Sequence, residues 1–387
     1  MKVLVAVDSF KGSISSIEAS KAISEGIQES YPDAEIIALP LADGGEGTVE
    51  ALLQATGGMK IETKVKGPLS IEKTAIYGIL DDGKTAVIEV AEACGLTFVS
   101  PEQRNPLLAT TYGVGELIAD AIGKGCREFV IGLGGSATND GGIGMLQALG
   151  FRFLDGSGNE VELGGQALKK ITGIDGSGVL PELMECHFRI ACDVNNVLYG
   201  PTGAAHIFGP QKGATPEMVE ELDEGLRNFA QIVLEQLGID LQSIAGAGAA
   251  GGLGAAFSGF LHSEMESGID LIMDITNMEQ KMQGADIAVT GEGKLDDQTA
   301  MGKAPLGVAR LAAVHGIPVV ALAGAVSPDV WGLNKLGMTS CFSIVNSPMT
   351  LEEAMDPEVA FNNLKRTAAQ LFRLIQRVAV PAEKLQN

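Results

Sequence analysis

Glycine and carboxylate residues crowd into a few short segments of this chain, each placed where an apolar run ends. The densest is Gly134-Gly135-Ser136-Ala137-Thr138-Asn139-Asp140-Gly141-Gly142, between the run 129–133 and a helical pattern carrying Met145, Leu146 and Leu149. A glycine loop entering a helix presents several backbone N–H groups, which is the chemistry of an anion cradle. Gly134, Gly135, Ser136, Thr138, Asn139, Asp140 and Gly141 are therefore candidate contacts for a phosphate-bearing cofactor, and Asp140 could also ligate a metal. The plainer alternative is a tight turn in which Asp140 caps the helix. Four glycines amid four polar residues exceed what a turn needs. The Gly-Lys-Ser/Thr ending of a Walker A loop is absent.

Asp43-Gly44-Gly45-Glu46-Gly47-Thr48 sets two carboxylates, Asp43 and Glu46, among glycines. That suits Mg²⁺, a hard cation that takes few protein carboxylates and completes its shell with phosphate oxygens. A capped turn before a helix at 49–53 accounts for it equally well. Thr290-Gly291-Glu292-Gly293-Lys294-Leu295-Asp296-Asp297 closes another apolar run. Lys294 could meet a phosphate there, and Asp296 or Asp297 could accept a hydroxyl proton or bind metal. Asp8-Ser9-Phe10-Lys11-Gly12-Ser13 occupies the same kind of position, with Asp8 a candidate substrate contact and Lys11 a second phosphate partner. Taken singly, each lysine reads as a solvated surface residue. Their shared placement at strand ends favours a site, because ligands of open α/β sheets bind at the carboxyl ends of strands. Arg104 has few charged neighbours and the guanidinium geometry that grips a carboxylate, although a surface arginine is the commoner case. Asp193, within Ala191-Cys192-Asp193-Val194-Asn195-Asn196, follows a short apolar approach and reads as a buried general base.

Such loops need a scaffold, and the runs 3–7, 129–133, 287–289 and 319–322 supply the pattern of buried parallel strands. Helical segments lie between them. Ser15-Ser16-Ile17-Glu18 reads as a capping box, with Ala19, Ala22, Ile23, Gly26 and Ile27 in one apolar stripe behind it. Thr215 as N-cap and Pro216 at the first helical position open a long structural helix over 215–237, marked by Val219, Leu222, Leu226, Phe229, Val233 and Leu237. Alternating strands and helices predict a mostly parallel sheet with helices on both faces. Residues 71–90 differ: two β-rich runs flank Asp81-Asp82-Gly83-Lys84, a hairpin signal, and a second hairpin candidate turns at 155–159. At 387 residues two domains are expected. The pattern places a discontinuous parallel-sheet domain over 1–60 and 285–387, interrupted by a mixed-sheet α/β domain over 61–284.

A net charge of −22 repels duplex nucleic acid and anionic membranes, and no Lys/Arg run offers a local exception. An anionic ligand must then be held by backbone N–H groups, a metal and a few chosen cations. Five scattered cysteines without a CxxC pair fit reduced thiols, and four scattered histidines lack zinc-ligand spacing. The apolar run at the start is too short for a signal peptide, and no run reaches the length of a membrane span, so a cytoplasmic protein is expected. Gly246-Ala247-Gly248-Ala249-Ala250-Gly251 matches a dinucleotide pattern, but the preceding 240–244 is too polar for a central strand.

Together the segments 8–13, 42–48, 134–142, 192–196, 246–254 and 290–299 resemble the bacterial glycerate kinase family. They run through most of the chain, and the set is specific where any one segment is not. The resemblance implies a Rossmann/flavodoxin-like domain with an inserted second domain, and ATP-dependent phosphorylation of D-glycerate, usually to 2-phospho-D-glycerate. Roles come from chemistry rather than from the family. The 134–142 loop would cradle phosphate, and Asp43 and Glu46 would hold Mg²⁺ directly or through water. Lys11 and Lys294 would offset charge on the transferring group, Asp193 or Asp296 would accept the hydroxyl proton, and Arg104 would grip the carboxylate. Three rivals stay open: a kinase for another small hydroxy acid, an NAD-dependent dehydrogenase using 246–251, and a non-catalytic anion-binding protein.

Overall fold

The computed structural model describes residues 1–296, 299 and 303–379. The chain divides into two compact units, Met1–Asp43 with Glu50–Thr56 and Ile269–Asn387, and Gly44–Val49 with Gly57–Gly268. Three segments fall differently from the sequence-based boundaries: Gly44–Val49 and residues 57–60 belong to the second unit, and residues 269–284 to the first. The strand Gly58–Lys66 pairs from its first residue with Leu80 of the second unit. The helix Gly268–Ile275 joins the first unit, because its Ile269 seats against Gly307, where an added Cβ would lie 2.7 Å from the isoleucine.

In the first unit Lys2–Val7, Glu35–Ala38, Ile287–Leu295, Val319–Val326 and Ser340–Ser343 form one wholly parallel sheet. Numbered along the chain within this unit, their spatial order is 2-1-3-4-5, the flavodoxin-like order. Val3, Leu4, Val5, Ala6 and Val7 are fully buried, as an uninterrupted apolar strand covered on both faces must be. The helix Ser16–Ser30 starts at the expected capping box: Ser15 N–H donates to Glu18 Oε2 at 2.9 Å and Glu18 N–H to Ser15 Oγ at 3.2 Å. Its stripe packs on the helix Pro357–Ala379, and the approach at Gly26 is so close that a Cβ there would lie 2.3 Å from the Lys365 carbonyl oxygen.

The second unit has a six-stranded mixed sheet, ordered Glu264–Glu266, His187–Ala191, Glu128–Gly132, Thr85–Glu89, Glu72–Leu80, Gly58–Lys66. The first four run parallel and the last two antiparallel. The hairpin at 81–84 forms as expected, with Asp82 Oδ1 accepting from the N–H groups of Lys84 and Thr85 at 2.8 and 2.9 Å. At 155–159 the chain also turns, Asp155 N–H bonding the Asn159 carbonyl at 2.8 Å, but Arg152–Leu154 pairs mainly with Gly173–Asp175. The long helix is Pro216–Leu237, capped by Thr215 and closed by Gly238 at φ 72°. Among the described residues no helix is long and apolar enough to cross a membrane.

Candidate active site

The order of the first sheet reverses between Lys2–Val7 and Ile287–Leu295, so the crevice at their carboxyl ends is where such a sheet binds ligands. Asp8 stands there, its N–H bonded to the Gly291 carbonyl at 2.9 Å and its Oδ1 accepting from Ser9 N–H at 2.6 Å. It is 5% exposed. Burial, and then the neighbouring charges of Asp43 and Glu292, push its carboxyl up to about 7. Asp43 arrives on the segment after Glu35–Ala38, whose Leu41 N–H bonds the Val7 carbonyl at 2.8 Å. Its Oδ2 pairs with Lys11 Nζ at 2.8 Å. Burial alone would lower the Lys11 ammonium, but Asp43, Asp8 and Glu292 together hold it above its ordinary value. Glu292, 7% exposed and raised by burial, accepts from Thr299 Oγ1 at 2.5 Å. Lys294 pairs with Asp296 at 3.0 Å. The structure thus gathers Asp8, Lys11, Asp43, Lys294 and Asp296 around one end of the sheet and adds Glu292. The available signal for Glu292 was its place two residues beyond Thr290, on the same strand face. Asp297 lies outside the described residues.

In the second unit the 134–142 loop follows Glu128–Gly132, with Gly134 and Gly135 exposed and the rest buried. Two expectations are corrected here. The helix beyond it, Ile143–Ala148, has only 6 residues, so its terminus adds little to anion binding and the loop must rely on its own groups. Asp140 is fully buried and engaged within the protein: Oδ2 accepts from Thr111 N–H and Oγ1 at 2.8 and 2.9 Å, and Oδ1 from Gly142 N–H at 3.1 Å. It staples the loop to Thr111 rather than capping the helix, whose N-cap Gly142 has no side-chain cap bond, and its oxygens are engaged within the protein.

Three glycine contacts hold the loop in place. A Cβ on Gly132 would lie 2.2 Å from the Gly44 carbonyl oxygen, and one on Gly134 would lie 3.0 Å from Gly45 Cα. Gly251, at φ 72°, backs the loop so closely that a Cβ would sit 2.0 Å from the Thr138 carbonyl oxygen, and Gly141 N–H bonds the Gly251 carbonyl at 3.0 Å. The 246–251 glycines therefore serve packing. No strand precedes them; Leu241–Ser243 is a single helical turn, and the dinucleotide reading loses its scaffold.

Lys212 is the cation of this region. It comes from the turn Pro210–Lys212 and donates to Ser136 Oγ at 2.9 Å and to the Thr138 carbonyl at 2.7 Å. The adjoining Gln211 carbonyl accepts from Arg104 Nη1 at 3.4 Å, and Gly213 presses on Arg104, where a Cβ would be 2.6 Å from the arginine Cβ. Glu89, 7% exposed, accepts from the N–H groups of Val49 and Gly47 at 2.8 and 3.3 Å, and burial pushes its carboxyl up to about 7. Neither Lys212 nor Glu89 carried a local sequence signal.

Of the remaining candidates, Asp193 differs from expectation in its burial. Glu46 is exposed and belongs to the second unit, whereas Asp43 belongs to the first. Asp193 is exposed rather than buried, its Oδ1 accepting from Gly268 N–H at 2.9 Å, because the chain leaves the sheet immediately after Ala191.

The first unit thus offers a switch point lined with acids and lysines, and the second a glycine loop bonded to a buried lysine. Residues 3–376 match the model of the glycerate kinase family. The chain belongs to the glycerate kinase family, and membership makes it a kinase. It is 45% identical over 371 residues to Glycerate 2-kinase of Escherichia coli K12, covering 96% of this chain and 97% of that protein. It is 46% identical over 376 residues to glycerate kinase of Bacillus subtilis 168, covering 97% and 98%. Its fold is similar to the crystal structure of a provisionally assigned glycerate kinase 2 from Salmonella typhimurium LT2, with TM-score 0.89, 44% identity, and 98% and 99% of the two chains covered.

Proposed function

We propose that this chain transfers the terminal phosphoryl group of ATP to the 2-hydroxyl of D-glycerate, giving 2-phospho-D-glycerate and ADP. The observation that carries this reading is the 45% identity to Escherichia coli Glycerate 2-kinase along 96% of this chain and 97% of that protein. Phosphoryl transfer asks a protein mainly for positioning and charge neutralisation.

The switch-point acids fit Mg²⁺ on the chemistry of their donors: hard oxygens, desolvated, with a mutual repulsion that a dication relieves. Among the described residues no three His, Cys, Asp or Glu side chains converge as a ready-made cage. That suits an ion which takes one or two carboxylates and leaves the rest of its shell to water and phosphate oxygens. Asp43 and Glu292 would hold it, and bound there it would neutralise phosphate charge. Lys11 and Lys294 steady the transferring group. Asp8 accepts the hydroxyl proton, since a carboxyl poised near 7 matches the working pH of a general base. Asp296, held in its ion pair, is the second candidate, and exposed Asp193 leaves the role. The 134–142 loop binds phosphate, and Arg104 grips the carboxylate.

The test is ADP release with D-glycerate, with L-glycerate and without acceptor, followed by proton-coupled ³¹P NMR of the product. ADP release that ignores D-glycerate sinks the kinase assignment. A phosphorus triplet in place of a doublet moves the phosphate to the 3-position.

A further inference from the structure

Lys212 is a buried cation with no counter-ion among the described residues, bonded to a loop suited to anions. It is 3% exposed, and its two hydrogen bonds go to neutral oxygens, Ser136 Oγ and the Thr138 carbonyl. Among the described residues no carboxylate stands within ion-pair distance of it; the titratable groups that face it are Cys94 and Asp140, and Asp140 is already engaged by Thr111 and Gly142. An ammonium taken out of water without a partner is strongly disfavoured, and such groups persist chiefly where a function uses the charge. Burial lowers this one to about 8.

Two further observations point to a ligand. Ser136 Oγ accepts from Lys212, which leaves its own hydroxyl proton free to donate elsewhere. Asn139, fully buried in the same loop, keeps both its amide nitrogen and its amide oxygen without a hydrogen-bond partner. Beside them the backbone of Gly134 and Gly135 is exposed, so an anion can reach the loop.

We propose that Lys212 is the positioning residue for a phosphoryl-group anion held by the 134–142 loop, acting through Ser136 by turning its hydroxyl proton toward the anion and supplying the counter-charge that the anion completes. This rests on the reading of the loop as a phosphate site. The shared chemistry is a phosphoryl dianion, whether on the nucleotide or on the phosphorylated acid. A bound anion favours the charged ammonium, so binding above about pH 8 draws a proton from solvent.

The experiment is calorimetric titration of the full chain at about pH 8.5, in buffers of different ionisation enthalpy. Inorganic phosphate, ATP and 2-phospho-D-glycerate serve as separate probes. Net proton uptake is expected with at least one probe, and the probe that shows it identifies the source. Lys212→Met is expected to abolish that uptake and to weaken the same probe at least ~10-fold at pH 7. Lys212→Arg, which keeps its charge at all these pH values, is expected to bind within ~3-fold at pH 7 yet show no uptake. Absence of uptake with all three probes on the unmodified chain overturns the proposal, whether or not Lys212→Met folds. Uptake that survives in Lys212→Arg overturns it too. Failure of the kinase reading is separately visible as absent ADP release; failure of this proposal leaves turnover intact.

Discussion

At the switch point of the first unit, like charges are brought together and desolvated: burial, Asp43 and Glu292 raise Asp8 to about 7, and burial and Asp296 raise Glu292. The 134–142 loop of the second unit is built the opposite way. Asp140 is satisfied by Thr111 and Gly142, the backbone is braced by Gly251 and Gly44, and the group left uncompensated is a cation, Lys212. The first region is electrostatically unfinished and gains from a cation; the second is sterically finished and gains from an anion. Strain of the first kind lowers stability in return for function, so removing it should stabilise the fold, whereas disturbing the glycine bracing of the second should only weaken it.

The largest expected effect is on Asp8→Asn. Its kcat should fall by about 10²–10⁴-fold with KM little changed, while the ligand-free Tm rises because a buried charge is gone. A variant slower and also less stable would move Asp8 from the site to the scaffold. Gly251→Ala should cost about 4 kcal/mol in denaturant unfolding, since it combines a left-handed backbone with a Cβ driven into Thr138. A loss under about 1 kcal/mol would show that the loop is not rigidly backed.

The pH dependence separates the regions further. The Asp8 carboxyl is raised from 3.8 to about 7 on folding, so its contribution is full below the lower value and is lost as pH climbs through the upper one. Ligand-free protein should therefore lose roughly 2–3 kcal/mol between about pH 4 and 7.5 relative to Asp8→Asn, with Mg²⁺ narrowing the gap. Parallel curves for the two proteins would remove the acidic strain from the account. Smallest of all, Glu46→Gln and Asp193→Asn should each keep turnover within about 3-fold and stability within about 0.5 kcal/mol, as exposed positions do. A marked loss of kcat in either one restores it as metal ligand or base.

Much of the scaffold was legible because its signals are local. The run 3–7 could only be a strand buried on both faces, Ser15 and Glu18 announced a helix start, and Asp81-Asp82-Gly83-Lys84 announced a hairpin. Asp8, Lys11, Asp43, Lys294 and Asp296 were legible as polar residues following apolar runs. The loop's anion cradle was expected to draw on a helix N-terminus, but the helix after it has only 6 residues, because apolar periodicity does not report length. Lys212 was missed because it stands 76 residues from the serine it supports.

Sequence alone determined that glycine-rich, acid-bearing loops end buried parallel strands, since periodicity and turn chemistry act over a few residues. Only the tertiary structure decided that Asp140 staples its loop, that Asp193 and Glu46 face solvent, that Glu292 joins Asp8, and that the 134–142 loop lies over a buried ammonium. Burial and electrostatic fields are set by neighbours in space, and those neighbours are distant in the chain.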